Sequence, residues 1–288
     1  MSTAPEERRF VLTDAHDPLR TIHGRIAWPR GAERAQPARP CVLLLHGFKG
    51  FMDWGFYPEL TRRLVARDLA VVRFNFSGSG HGAEPERFSE PAAFHVNSPS
   101  RELDDLERVR LALERELRLP WLDLGRVALL GHSLGGGVAL VHAARRGDCR
   151  AVVGWAAVST FRRFPPEVEE LWRRQGYVEI PNLRTQEIHR LGLDWLLDLE
   201  RNAAALDIRA ACARLAAPTL FVQGSADEAV APSEAEALLA ACAPGLARLE
   251  TVAGANHTFG AVHPLQGISP SLEHALTLSA EFLVTHLA

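Results

Sequence analysis

The chain has 288 residues and a formal net charge of −3 at pH 7, too near neutrality to hold a polyanion, so neither a nucleic-acid nor a membrane partner is expected. Hydrophobic residues at 47% and charged ones at 23% exclude a disordered chain and suit a globular one with a sizeable core. No run approaches the roughly 18 apolar residues of a membrane span, and the opening MSTAPEERRF has no apolar stretch of the kind a secretory signal needs.

In chain order, residues 9–28 read as an antiparallel pair: alternating RFVLTD, a turn at Asp17-Pro18, then TIHGRIAW. The Pro/Arg-rich stretch 32–40 reads as a surface loop. CVLLL (41–45) is continuously apolar, as a strand covered on both faces should be. HGFKG follows, then a helical stretch at 57–67, then the strand LAVVRFNF (69–76) ending in SGSGHG. Ser100 can cap a helix running to about Leu117, whose apolar positions Leu103, Leu106, Val109, Leu113 and Leu117 recur at three and four. RVALLG (126–131) predicts a strand, HSLGGG a turn, and 138–145 a helix. AVVGW, PTLFVQG and ARLETV are further strands, and Pro270 opens a closing helix.

Strands alternating with helices predict an α/β fold: a mostly parallel central sheet with helices on both faces and antiparallel strands at its N-terminal edge. Residues 156–210 hold no convincing strand, only short amphipathic pieces rich in Arg, Glu and Trp. That is too long for an ordinary connection, so a small helical cap inserted into a single domain spanning 1–288 is expected. Its Glu167, Glu169 and Glu170, among Arg162, Arg163, Arg173 and Arg174, read as solvated ion pairs. Cys41, Cys149, Cys212 and Cys242 show no C-x-x-C pair and no metal-ligand spacing. They read as free thiols of a reducing, cytoplasmic compartment. Lys49 is the only lysine.

Gly131-His132-Ser133-Leu134-Gly135 fits G-x-S-x-G, a strand turning sharply into a helix with one side chain at its apex. Small flanking residues are needed because the backbone passes too close for a Cβ. The motif alone also suits tight packing or a phosphate-binding turn, but a buried strand before it and a helical run after it favour a nucleophile.

With HGF (46–48) after the first buried strand, the SGSGHG loop, the GHSLGG turn, and an Asp then a His in order, the chain resembles the α/β-hydrolase family over most of its length. The stretch from LLLHGFKG to NFSGSGHG looks like the branch of small esterases and serine aminopeptidase-like hydrolases that includes feruloyl and cinnamoyl esterases. Dienelactone hydrolases are near relatives. The family order Ser, acid, His places the acid on Asp227, whose Gly224-to-Asp227 spacing matches G-x-x-D; Glu228 is its neighbour and rival. Among 12 histidines, His257 stands on the Gly-flanked loop GANHTFG after the last strand, with His263 as the alternative base.

A serine hydroxyl needs a base to take its proton and a third group to hold the imidazole. The oxyanion formed on attack needs aimed N–H groups, expected from the backbone of Leu134 and Phe48. His46, His81 and His132 are expected to pack the loops around the site. Phe161, Phe164, Trp172, Tyr177 and Trp195 of the cap are candidates to line an apolar pocket. The expected activity is hydrolysis of small, apolar or aromatic carboxylic esters through Ser133, His257, Asp227 and an acyl-enzyme, with a small-molecule ester as partner and neither metal nor organic cofactor. A peptidase, amidase or thioesterase with the same triad, or a ligand-binding member without chemistry, is the alternative.

Overall fold

A computed structural model of the protein describes residues 5–34, 37–182 and 186–288. β1 (Glu6–Leu12) and β2 (Ile22–Trp28) form the expected antiparallel pair, with Phe10 opposite Gly24. Asp17 starts the turn between them, its side chain accepting from Leu19 N–H at 2.9 Å. The loop expected over 32–40 begins with a short turn at Ala32–Arg34 and lies at 35–36 outside the described residues.

The chain then alternates through β3 (Arg39–Leu45), α1 (Tyr57–Val65), β4 (Ala70–Phe74), α2 (Pro91–His95), α3 (Pro99–Arg115), β5 (Leu122–His132), α4 (Leu134–Arg146) and β6 (Ala151–Trp155). After the inserted segment come β9 (Thr219–Gly224), α8 (Pro232–Ala241), β10 (Ala247–Val252) and α9 (Pro270–Leu287). One 8-stranded sheet has the order β1-β2-β4-β3-β5-β6-β9-β10. From β4 to β10 every neighbouring pair is parallel, while β2 meets β4 antiparallel. EERRFVL and ARLETV are therefore the two edges.

Strand side chains alternate between faces, and β3 shows why its run is unbroken. Cys41, Leu43 and Leu45 enter one core layer with Leu103 and Leu106 of α3 and Val138 and Leu140 of α4. Val42 and Leu44 enter the other with Leu60 and Leu64 of α1 and Leu272, Leu276 and Leu283 of α9. Both faces are dry, so no polar position is left along the strand.

Two helix starts differ from expectation. α3 is capped by Ser98, whose Oγ accepts from Arg101 N–H at 3.2 Å, and not by Ser100. Pro99, which has no N–H to satisfy, takes the first helical position. α4 begins at Leu134, so the glycines read as a turn are helical. They let the helix lie directly on its neighbours: a Cβ on Gly135 would stand 2.5 Å from the carbonyl oxygens of Leu45 and His46.

The inserted segment is not wholly helical, which corrects the cap expected over 156–210. Between α5 (Pro166–Gln175) and α6 (Asp194–Arg201), followed by α7 (Ile208–Cys212), the antiparallel hairpin β7 (Tyr177–Asn182) and β8 (Glu187–Gly192) pairs Val178 with Leu191 and Ile180 with His189. These four are buried, while Glu179, Pro181, Ile188 and Arg190 between them face outward. The alternation is that of a strand with one covered face, and the Arg and Glu on the open face gave it the look of a helix. Residues 183–185 lie outside the described part. Glu169 is likewise not solvated: it is buried beneath Arg162, its ion-pair partner.

Beneath the SGSGHG loop, α3 carries two buried carboxyl groups. Asp105 accepts from Ser77 N–H at 2.7 Å, and Glu102 accepts from Asn97 Nδ2 at 2.9 Å. Burial, with Asp105 nearby, pushes the Glu102 carboxyl up from 4.5 to about 8, against the pull of the Asn97 bond. The folded protein thus keeps a proton that the unfolded chain releases above pH 4.5, and stability falls as pH rises from 4.5 to 8. Glu102→Gln retains the acceptor for Asn97 and removes this penalty. Its melting temperature relative to the parent is expected to climb by roughly 5 °C between pH 5 and 8.5, read by scanning calorimetry; a pH-independent difference would contradict it.

Candidate active site

Four loops leave the carboxyl ends of parallel strands and converge, where open α/β sheets place their ligands. At the end of β5, Ser133 has φ 56° and ψ −119°, a strained conformation for a residue with a side chain. Its backbone is held on both sides: Ser133 N–H donates to the Trp155 carbonyl at 2.8 Å, and its own carbonyl accepts from Gly136 N–H at 3.0 Å. A Cβ on Gly131 would meet the Gly135 carbonyl oxygen at 2.1 Å, so the turn closes only around glycine.

After β9, Asp227 turns a fully buried carboxylate toward the loop that follows β10. His257 Nδ1–H donates to Asp227 Oδ2 at 2.8 Å, leaving Nε2 as the acceptor. Asp227 Oδ1 accepts from the Ala229 and Val230 amides at 2.9 Å each, and Gln223 Nε2 reaches Oδ2 at 3.1 Å. Burial alone would raise this carboxyl. The His257 bond and the two amides outweigh it and hold the group below its ordinary value. Glu228 is exposed, with no hydrogen bond among the described residues. His263, the other candidate base, accepts from Gly55 N–H at Nδ1, 3.1 Å away, and so presents no acceptor nitrogen to a serine. No hydrogen bond joins Ser133 Oγ to His257 Nε2 among the described residues, although both residues line one cleft. Such bonds are often long before substrate arrives.

The HGF turn after β3 is held by its own histidine. Gly50 N–H and His46 Nδ1–H both donate to the Gly47 carbonyl at 2.9 Å, and Phe76 N–H donates to His46 Nε2 at 3.2 Å. Burial lowers the His46 imidazole to about 4, so it stays neutral in this bridge. Neither Phe48 N–H nor Leu134 N–H finds an acceptor among the described residues, and both residues border the same cleft as Ser133.

Two clefts meet at Ser133, Phe48 and Lys49. The first, about 380 Å³, is walled by Leu134, Val158, Phe161, Phe164, Ile180 and Trp195. The second, about 460 Å³, holds His257, His263, Trp54, Tyr57, His46 and His132. Of the five cap aromatics expected at a pocket, Phe161, Phe164 and Trp195 are there. Trp172 is buried behind Phe164 at a ring distance of 5.1 Å, and Tyr177 lies under Arg190 at 4.5 Å; neither lines these clefts.

The model of the Alpha/beta hydrolase family matches residues 42–269 of the chain. The protein belongs to the alpha/beta hydrolase family. Among solved structures, it is similar to a putative hydrolase from Agrobacterium vitis S4, with 18% identity over 97% of this chain and 99% of that one and a TM-score of 0.72. Est1E from Butyrivibrio proteoclasticus has 16% identity over 97% and 98%, with a TM-score of 0.67. A dienelactone hydrolase from Anabaena variabilis ATCC 29413 has 19% identity over 99% of both chains, with a TM-score of 0.64. At these identities the likeness is one of fold.

In this alpha/beta hydrolase His132 packs the loops around the site as expected, and further residues that the motifs did not single out line the first cleft. His132 lies beside Ser133 in sequence, and its Nε2–H donates to the His257 carbonyl at 2.9 Å, tying the serine turn to the histidine loop. Burial pushes its imidazole down to about 3, with the neighbouring His257 acting in the same direction, so it remains neutral. Val158 and Ile180 enter the first cleft from the inserted segment, and Ala229 and Val230 from the Asp227 loop. Only the last two carried a signal, by adjacency to Asp227. No helix among the described residues is long and apolar enough to cross a membrane.

Proposed function

We propose that the protein is a serine hydrolase that cleaves carboxylic esters of small, apolar or aromatic character, with Ser133 as nucleophile, His257 as base and Asp227 as the group that orients it. The observation that carries this reading is the 2.8 Å bond from His257 Nδ1 to a buried Asp227 carboxylate, at the edge of the cleft that the strained Ser133 lines.

In the first half-reaction Ser133 Oγ attacks the ester carbonyl carbon while its proton passes to His257 Nε2. Asp227 stabilises the imidazolium without taking the proton. The carbonyl oxygen becomes an oxyanion held by the N–H groups of Phe48 and Leu134. Collapse breaks the bond to the leaving alkoxide, which takes the proton from His257, and Ser133 is left acylated. Water then attacks the acyl carbon, giving a proton to His257, and expulsion of Ser133 Oγ, reprotonated by His257, yields the acid.

Because the leaving alcohol must reach His257, which borders only the second cleft, the alcohol part belongs there. The acyl part belongs in the first, among Phe161, Phe164, Trp195, Val158 and Ile180. A fluorophosphonate probe followed by peptide mass spectrometry tests the reading. Labelling is expected at Ser133 and is expected to be lost in His257→Ala. A folded protein that stays unlabelled, even with the smallest probe, would favour a ligand-binding role without chemistry.

A further inference from the structure

Resting on that reading, we infer that Lys49 selects the substrate: the acyl part carries an anionic group, such as the free carboxylate of a dicarboxylic half ester, which Lys49 binds beside the scissile carbonyl.

Lys49 directly follows Phe48 and borders both clefts where they meet at Ser133. Its backbone is left-handed, φ 60°, in a residue that is not glycine, a conformation that costs energy and fixes where the side chain begins. The Nζ atom donates to the Pro181 carbonyl at 3.0 Å. Pro181 lines the first cleft and not the second, which puts the ammonium on the acyl side.

The other charges on that wall already have partners. Arg163 is paired with Glu234 at 2.9 Å and also donates to the Ala229 carbonyl. Glu179 faces Arg190 at 3.8 Å. Lys49 makes no ion pair among the described residues, and one carbonyl uses only one of its three protons. Its surroundings also disfavour the charge: burial lowers the ammonium's ordinary value, with no carboxylate opposing it. Lys49 is nonetheless exposed at the cleft, and an anion from the ligand would engage the two donors the protein leaves idle there. The dipeptide and amine substrates of a peptidase would instead need a carboxylate at this position.

The test pairs monomethyl glutarate with methyl pentanoate, alike in chain length apart from the terminal carboxylate. The kcat/KM of the half ester is expected to exceed that of the neutral ester about tenfold, with the advantage shrinking as salt is raised. In Lys49→Met that ratio is expected to fall to about one, and in Lys49→Arg to remain well above one. Calorimetric binding of both esters to Ser133→Ala, with and without Lys49→Met, supplies a readout independent of turnover: tighter binding of the half ester, lost with the lysine. A ratio near one in the parent, a preference that survives Lys49→Met, or an equal loss on both esters would each overturn the inference. The last would make Lys49 a strut between the HGF turn and the β7–β8 hairpin. If neither ester is hydrolysed and Ser133 stays unlabelled, the esterase reading falls, and the binding comparison still decides the lysine.

Discussion

Replacing Asp227 by asparagine is expected to lower ester turnover about 10,000-fold while leaving the fold intact. The two side chains have nearly the same shape, and the Ala229 and Val230 amides, each donating to Oδ1 at 2.9 Å, dictate which way an amide must sit. Its oxygen has to accept from them, so its NH2 group takes the place of Oδ2 and faces His257. There it donates to Nδ1, the imidazole changes tautomer, and Nε2 then carries a hydrogen in place of a free lone pair. The base can no longer accept the proton of Ser133. Ser133→Ala, which removes the nucleophile itself, is expected to cost about a million-fold. Steady-state rates alongside near-UV circular dichroism check both. Full turnover in either folded variant would remove the residue from the mechanism.

The second large effect is on stability. Gly135→Ala puts a methyl group 2.5 Å from two backbone carbonyl oxygens, those of Leu45 and His46, neither of which can rotate away as a side chain could. α4 would have to lift off β3, opening the layer where Leu43 and Leu45 meet Val138 and Leu140. A loss of about 3 to 5 kcal/mol is expected, of the size of a badly overpacked core site. That lowers the melting temperature by roughly 6–10 °C, measured by thermal denaturation. Gly147→Ala is the matched comparison. Gly147 ends the same helix at φ 70° with no atom near its would-be Cβ, so it tests backbone strain without collision and is expected to cost less.

What could be read from the residues alone follows from how each element is buried. AVVGW has the predicted bounds because a fully buried strand leaves a plain apolar run, and ARLETV has them because its alternating apolar and polar residues suit an edge strand. Pairing of Asp227 with His257 was legible because both sit just past strand ends, where the parallel sheet gathers its loops. Ser98 was overshadowed by Ser100, though Pro99 between them marks the first helical turn. The helical glycines of α4 looked like a turn because intrinsic preference disfavours them there, and close packing on β3 reverses it. The β7–β8 hairpin escaped because its alternation of buried residues spans only a few positions in each strand, with Glu179, Glu187 and Arg190 on the open face. Side-chain destinations within the cap were least legible. Trp172 and Trp195 look alike in sequence, yet one is enclosed behind Phe164 and the other forms cleft wall.

The two outermost strands bear on how the molecule behaves at high concentration. A sheet edge is a row of unsatisfied peptide groups onto which a second chain can add. Here β1 opens with Glu6, Glu7, Arg8 and Arg9 in succession, and β10 sets Arg248 and Glu250 along its length. An incoming strand would have to strip water from those charges before gaining any peptide bond. The five parallel strands between them are among the most apolar segments of the chain, and an antiparallel ribbon on one side and a charged rim on the other keep them from templating a fibril.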